Sequence, residues 1–463
     1  MPAILGANSV SGYEISNSLI FNDNDSAYLG RTPGSAGTSV QTWTFSCWAK
    51  RSTLSGSQVI FGASNGDASQ FVDITINGNN VFELDILDSN STRTIRTTAA
   101  AFRDPSAWYH FVIVVDTTQG TAANRLKLYV NGDEIATVAG TGTFPAQNAN
   151  TQVNATTGVH AIGRRQGSTD RYYDGYLTEI NHVDGQALTP TSFGEEDDNG
   201  NWIPIRYSGN YGTNGFFLQF KQTGTSQNAS GMGADTSGNT HHWTVNNLAA
   251  LDVTTDTCTN NFATMNPLSN DAGGLTMSEG NLSMTCTTTR KNIKASFALP
   301  ESGKWYWEWK FNEATGDSAI MNPSIAPVTS ISDSSLEGSG IFAFWVYTAD
   351  ILYVKYNNSA ARTNQNISFG TDDTMQFAVD MNTRRVYLGK NNTWYNTGTG
   401  TDGDPAAGTG YLATLSSTLE YAPSYAGETT SKTANVNFGQ KAFAYTPPSG
   451  FFALNSTNLA KYG

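Results

Sequence analysis

The sequence predicts an all-β chain built as two β-sandwiches in tandem, and three observations carry that prediction. Short apolar stretches with period-two alternation, each closed by Gly, Asn, Asp, Ser or Pro, recur from Ser18 to the C-terminus. Gly numbers 45 and charged residues are only 14% of the chain, which gives a polar, uncharged surface with many turns. No stretch of useful length repeats its apolar residues at helical spacing. At 463 residues the chain exceeds what one ordinary core organises, so it should divide into domains.

In order, SLIFN at Ser18 is the first strand, and RTPGSAG, with Pro33 between small residues, is a loop. Trp43, Phe45 and Cys47 then alternate with Thr42, Thr44 and Ser46, the pattern of a strand with one buried face, and Trp48 ends it. Core packing is the favoured role for both tryptophans. QVIFG, FVDITING, VFELDIL, TRTIRTT, WYHFVIVVD, RLKLYVNG, VHAIG and YLTEINHV continue the strand series to Leu188. Asn77-Gly78 and Asn131-Gly132 mark turns because both residue types tolerate positive φ, and LKLYVNGDEIATV reads as a hairpin about Gly132.

From Thr189 to about Asp256 the chain becomes a looser run dominated by Gly, Ser, Thr and Asn. One strand, GFFLQF, is expected there, completing the first module. Beyond Thr257 strands resume; Trp305, Trp307 and Trp309 alternate along one of them, share a face, and read as core. The expected divisions are 1–190, a connector at 191–256, and 257–463.

Charge and cysteine usage exclude several functions. The 26 basic and 39 acidic residues give a net charge of −13, and no basic run exceeds two residues, so a nucleic-acid partner is not expected. Cys47, Cys258 and Cys286 are too few and too far apart for a disulfide framework or a metal knuckle. The N-terminal MPAILGANSVSG lacks basic and apolar signal regions, and FVIVV and IFAFWVY are strand-sized, so neither a signal peptide nor membrane insertion is expected. The N-x-S/T triplets at Asn24, Asn90, Asn154, Asn228, Asn281, Asn357, Asn366, Asn391 and Asn455 follow from an Asn/Thr-rich composition.

Particular stretches carry a resemblance. LGRTPGSAGTSVQTWTFSCWAKRS (Leu29 to Ser52) resembles the opening of laminin-G-like jelly-roll modules of bacteriophage structural proteins. WYHFVIVVD, LKLYVNG, IGRR and YYDGYLTEINHVDGQAL extend that resemblance to Leu188. In the C-terminal half, SGKWYWEWKF, MQFAVDMNTRRVYLGKNNTWYN and NVNFGQKAFAYTPPSGFFAL resemble a SPRY-like β-sandwich, and TCTNNFATMNPLS with MSEGNLSMT is similar to its lead-in in phage proteins that join these two modules. The resemblance implies two jelly-roll sandwiches joined by an ordered connector. It further implies a virion surface protein assembled in the host cytoplasm, a tail fibre, appendage or head decoration present in many copies, with other virion proteins and a host-surface glycan or receptor as partners. Asp174-Gly175 is by the same resemblance a structural turn.

Several motifs have the residue types that chemistry would need. Glu83-Leu84-Asp85-Ile86-Leu87-Asp88 approaches the E-x-D-x-x-E pattern of retaining glucanases, whose two carboxyls must lie about 5 to 5.5 Å apart. Here the last acid is one methylene shorter, and in an unbulged strand residues 83 and 88 face apart, so no catalytic residue is assigned. Asp23, Asp25 and the run Glu195, Glu196, Asp197, Asp198 could supply calcium ligands at loop rims, but solvated loop acids are favoured and no cofactor is assigned. His110, His160 and His182 are scattered, and His241 and His242 are adjacent and would face apart in a strand, so no metal site is expected. GASNG matches the letters of a nucleophile elbow, but a strand follows where a helix is required. The best binding candidate is IGRRQGSTDRYYDG, where Arg164, Arg165, Arg171, Tyr172 and Tyr173 combine directed donors with aromatic area; Trp394 and Tyr395 are a similar pair in the second module. The function these readings favour is non-enzymatic adhesion. The alternatives are a polysaccharide-degrading enzyme of the concanavalin-like glucanase fold and a cellular protein-interaction module.

Overall fold

The computed structural model describes residues 12–66, 69–89, 91–141, 144–168, 170–269, 274–287, 291–311, 321–329, 341–347, 351–356, 363–370, 372–396, 400–427 and 432–463. The first eleven residues and the N-x-S/T positions Asn90 and Asn357 lie outside these. The chain is all-β, as the alternation predicts; among the described residues the one α-helix is Ser456–Tyr462. Two compact units divide at Asn260/Asn261.

The first unit, Asn8–Asn260, is a sandwich of two sheets. The first sheet runs Asp133–Glu134, Leu126–Val130, Tyr109–Asp116, Thr42–Arg51, Gly175–Asp184, Ser18–Phe21 and Val253–Thr254, with Phe216–Leu218 also paired to Gly175–Asp184. The second runs Thr137–Thr141, Arg93–Ala101, Val81–Leu87, Phe71–Ile76, Gln58–Ser64, Val159–Ile162, Tyr28–Arg31 and Thr244–Asn246. Alternation sends Trp43, Phe45 and Cys47 from one sheet and Val72, Ile74, Leu84 and Ile86 from the other into a shared core. Each large apolar side chain so buried contributes about 1.5 to 3 kcal/mol.

Four details depart from the sequence reading. The Thr42–Arg51 strand is buried on both faces, because chain from outside the sheet covers its outer side. Trp48 packs there with Ile15 and Cys258 and stacks on His110, while Lys50 forms a buried ion pair with Asp256 at 2.9 Å. At Asn131-Gly132 both φ values are positive as expected, but the hairpin is only two residues deep before the chain crosses to the second sheet. At Asn77-Gly78 the left-handed residue is Asn80 instead. Residues 191–256 supply more than the one expected strand: Gly194–Glu196 pairs with Trp202–Pro204, and Thr244–Asn246 and Val253–Thr254 extend the two main sheets.

The second unit, Asn261–Gly463 apart from the start of the chain, is again two sheets. One runs Leu275–Ser278, Ser283–Cys286, Thr433–Asn437, Lys304–Phe311, Thr374–Asp380, Arg385–Lys390 and Thr393–Trp394. The other runs Lys291–Lys294, Tyr421–Gly427, Met321–Pro327, Phe342–Tyr347, Ile351–Tyr356 and Thr363–Ser368. Trp305, Trp307 and Trp309 are fully buried on the inner face of the first of these, Trp309 stacking on Tyr425 of the facing sheet at 5.4 Å. The opposite face of the same strand carries Tyr306 and Glu308, which the C-terminal tail covers through Phe443, Ala444 and Tyr445.

Candidate functional site

Sheet register decides what the outer face of the first unit's second sheet presents. Asp73 lies between Gly62 and Asp85 on neighbouring strands, and Thr75 lies opposite Glu83. Because Val72, Ile74, Leu84 and Ile86 point into the core, Phe71, Asp73, Thr75, Glu83 and Asp85 fall on the other side. Residues 163–168 and 170–174 fold back over this side. Gly163 N–H donates to the Ile60 carbonyl at 2.9 Å, Val59 N–H to the Arg171 carbonyl at 2.9 Å, and Tyr173 N–H to the Gly163 carbonyl at 2.8 Å. Gly62 is required beneath the loop: a Cβ there would meet the Arg164 carbonyl oxygen at 2.9 Å and the Gln166 nitrogen at 3.0 Å.

The loop places its arginines on fixed partners. Arg165 Nε pairs with the fully buried Asp73 carboxylate at 2.9 Å, and its guanidinium lies 4.9 Å over the Phe71 ring. Burial pushes the Asp73 carboxyl up to about 7, and the charge of Asp85 adds to that, while Arg165 and Arg171 pull the other way. Arg164 stacks on Tyr28 with its guanidinium carbon 3.6 Å from the ring centroid and donates from Nη2 to Gln166 Oε1 at 3.2 Å. Arg171 stands 4.0 Å from Asp170 with a positive φ of 57°. Tyr172 is half-buried.

Tyr173 corrects the sequence reading. It is fully buried, edge-on to Phe21, and its hydroxyl donates to the Lys50 carbonyl at 3.1 Å. Adjacent residues of an extended segment face opposite ways, so Tyr172 and Tyr173 cannot both be surface anchors. Trp394 is half-buried and packs against the cluster of Tyr306, Tyr387 and Phe451, which makes it a packing residue of the second unit; Tyr395 beside it is half-buried. Asp73, Gly62, Phe71 and Tyr28 were not singled out from sequence. An Asp in the alternation of FVDITI reads as a solvated outward residue, and only the loop folding over it makes it otherwise.

The glucanase-like acids have other attachments. Asp85 accepts from Arg93 Nε at 3.0 Å and Nη2 at 2.7 Å, one bond on each oxygen. Glu83 accepts from Asn77 Nδ2 at 2.8 Å, and Asp88 accepts from Thr92 N–H at 2.9 Å in the following turn. Of the calcium candidates, Asp25 accepts from Asn22 Nδ2, Asp197 accepts from Asn199 and Asn201, and Glu195 and Glu196 are exposed on a short hairpin. Among the described residues no three His, Cys, Asp or Glu side chains converge to hold a metal ion. His241 Nε2 lies 2.8 Å from the Thr213 carbonyl and His242 Nδ1 accepts from Asp235 N–H, so the two rings face different loops. Trp202 Nε1–H donates to His110 Nδ1, which leaves His110 Nε2–H for Ser46.

Residues 22–193 match the protein family described as the concanavalin A-like lectin/glucanases superfamily, Laminin_G_3. The first unit thus has the laminin-G/concanavalin-like jelly-roll fold. Among similar solved structures, laminin α1 domains LG4-5 from mouse are 10% identical, covering 96% of this chain and 97% of that one with a TM-score of 0.31. A heptameric SAP-like pentraxin from Limulus polyphemus is 18% identical over 38% of this chain and 80% of that one, TM-score 0.28. The SPRY domain of human HERC1 is 13% identical over 37% of this chain and 96% of that one, TM-score 0.27. No curated protein matches the chain.

Proposed function

We propose that this chain is a non-enzymatic adhesin, carried in many copies on the outside of a tailed-bacteriophage particle, whose first unit grips a host-surface glycan or receptor through the loop of residues 163–172. The observation that carries the binding reading is the loop itself: arginine side chains on a backbone held to the sheet by hydrogen bonds, with Asp85 on the same face already tied on both oxygens to Arg93. An acid so bonded is a poor nucleophile or proton shuttle, whereas fixed guanidinium groups give directed donors on a stiff base. The virion half of the proposal is supported by the resemblance of the quoted stretches to modules of phage structural proteins. Weak single contacts multiply when many copies engage together, which suits a decorated surface.

The test is competition. Purified chain added to host cells should block particle attachment, and locating the chain in a density map of an intact particle should place it on the exterior. A reducing-sugar assay on capsular or cell-wall polysaccharide should stay flat for the wild type. Polysaccharide cleavage that disappears in Glu83→Gln would replace this reading with the enzyme, and absence of the chain from purified particles would remove the virion role.

A further inference from the structure

Within that adhesin reading, on which this inference rests, we infer that the loop's ligand is an acidic sugar, a uronic- or sialic-type unit whose carboxylate is met by Arg164 and Arg171. The loop is a local exception in charge. Residues 163–172 contain Arg164, Arg165 and Arg171 against Asp170 alone, in a chain whose net charge is −13. Of the three guanidinium groups, Arg165 is neutralised by Asp73 at 2.9 Å. Among the described residues the other two have no carboxylate at hydrogen-bond distance. Arg164 is engaged by a ring face and a neutral amide, and its Nε is buried without a hydrogen-bond partner among the described residues. Arg171 stands 4.0 Å from the Asp170 carboxylate, beyond hydrogen-bond length, and acts on Asp73 through its charge.

Backbone geometry supports a recognition role for the same positions. A bulky residue at φ 57°, as Arg171 is, sits in the left-handed region that side chains other than Gly, Asn and Asp rarely adopt, and such positions persist where the surroundings impose them. At Arg171 the backbone is held by the bond from Val59 N–H to its carbonyl, while Gly62 lets the loop backbone at Arg164 and Gln166 lie directly on the sheet. The guanidinium of Arg164 is fixed in orientation by Tyr28 and Gln166, and a fixed guanidinium matches a carboxylate better than a hydroxyl.

The surrounding charge narrows the class further. A highly charged polyanion would be repelled by the acidic remainder of the molecule. Screening confines that repulsion to about 10 Å at 0.1 M salt, so a single carboxylate on an otherwise neutral sugar meets mainly the loop. Tyr172, half-buried at the end of the loop, supplies apolar area for the sugar ring.

The experiment titrates the full chain with sialyllactose and digalacturonic acid, each against its neutral counterpart, lactose and the methyl ester, in physiological salt. Expected is binding of at least one acidic probe about tenfold or more tighter than its neutral counterpart, from charge-assisted bonds. The double variant Arg164→Gln/Arg171→Gln should lose that discrimination while melting as the wild type does. Equal affinity for acid and ester, no binding of either acid, or unchanged discrimination in the double variant overturns the inference. If neutral sugars bind and Tyr172→Ala weakens them, the adhesin reading stands and only the acidic class falls. If no probe binds and Tyr172→Ala leaves cell attachment intact, both fall.

Discussion

Asp73 in the first unit and Glu308 in the second are both carboxylates buried on the outer face of a sheet, and the chain covers them in opposite ways. Asp73 is met by a side chain, Arg165, from a loop whose Arg164 and Arg171 have no carboxylate at hydrogen-bond distance among the described residues. Glu308 is met by the backbone of the C-terminal tail: it accepts from Ala444 N–H at 2.8 Å, Tyr445 N–H at 3.0 Å and the Tyr306 hydroxyl at 2.7 Å. Gln376 continues that network, donating to Tyr306 and accepting from Asn392 N–H. A face closed by its own tail has satisfied its polar groups internally and has little left to offer a ligand. A face covered by an arginine loop has not, and this difference is why the first unit is the better candidate for recognition.

The contrast is broken most severely at Glu308. Replacing it with Ala removes the acceptor for two backbone N–H groups and a buried hydroxyl, and should cost the second unit about 3 to 5 kcal/mol. Calorimetry should show one transition falling while the other stays, and a change below about 1 kcal/mol would mean the tail is held by something other than this carboxylate. Next in size is Gly62→Ala. The nearest atoms to the added methyl are backbone, which cannot swing away, so the loop must lift at a cost of about 1 to 3 kcal/mol. Denaturant melts should report that loss, and glycan binding should weaken with every arginine still present.

A pH series sharpens the comparison because all five histidines precede Asn261. Burial lowers His110 and His182 to about 3 and drives His160 well below its ordinary value, so the stability they contribute is present above about 6.5 and is lost as pH falls from there toward about 3. Burial raises Asp73 and Glu179 to about 7, so their contribution is present below about 4 and is lost as pH rises toward 7. Between about pH 4 and 6.5 the two sets oppose each other. Asp73→Asn removes one opposing group, and the first unit's unfolding free energy should then fall more steeply from pH 6.5 to 4.5, with a difference in slope up to about 1.4 kcal/mol per pH unit. Parallel profiles for variant and wild type would show that Asp73 is already ionised in the folded chain.

The fold was largely legible because alternation is local: Trp43, Phe45 and Cys47, and the row Trp305, Trp307, Trp309, declare their faces within a few residues of sequence. Burial on the second face was not legible, since nothing near Trp48 or Lys50 says that residues around Trp202 and Asp256 return to cover them. The same limit applies at the site. Arg164, Arg165 and Arg171 stand out in the sequence, but their partners Tyr28, Phe71 and Asp73 come from distant strands, and which of two adjacent tyrosines points inward depends on the exit of the loop into the Gly175–Asp184 strand.

That last ambiguity supplies the smallest and most discriminating effect. Tyr172→Ala removes a half-buried side chain outside the core and should change stability by no more than about 0.5 kcal/mol. If its ring lies against the ligand, glycan affinity should drop by about 2 kcal/mol, roughly thirtyfold. Tyr395→Ala is the matched control, a half-buried aromatic in the second unit. Melting and binding measured together on both variants should give unchanged melts and a binding loss confined to Tyr172. Equal losses would mean that both units contribute to attachment. A loss confined to Tyr395 would move recognition to the second unit and leave the first unit's loop as structural cover for Asp73.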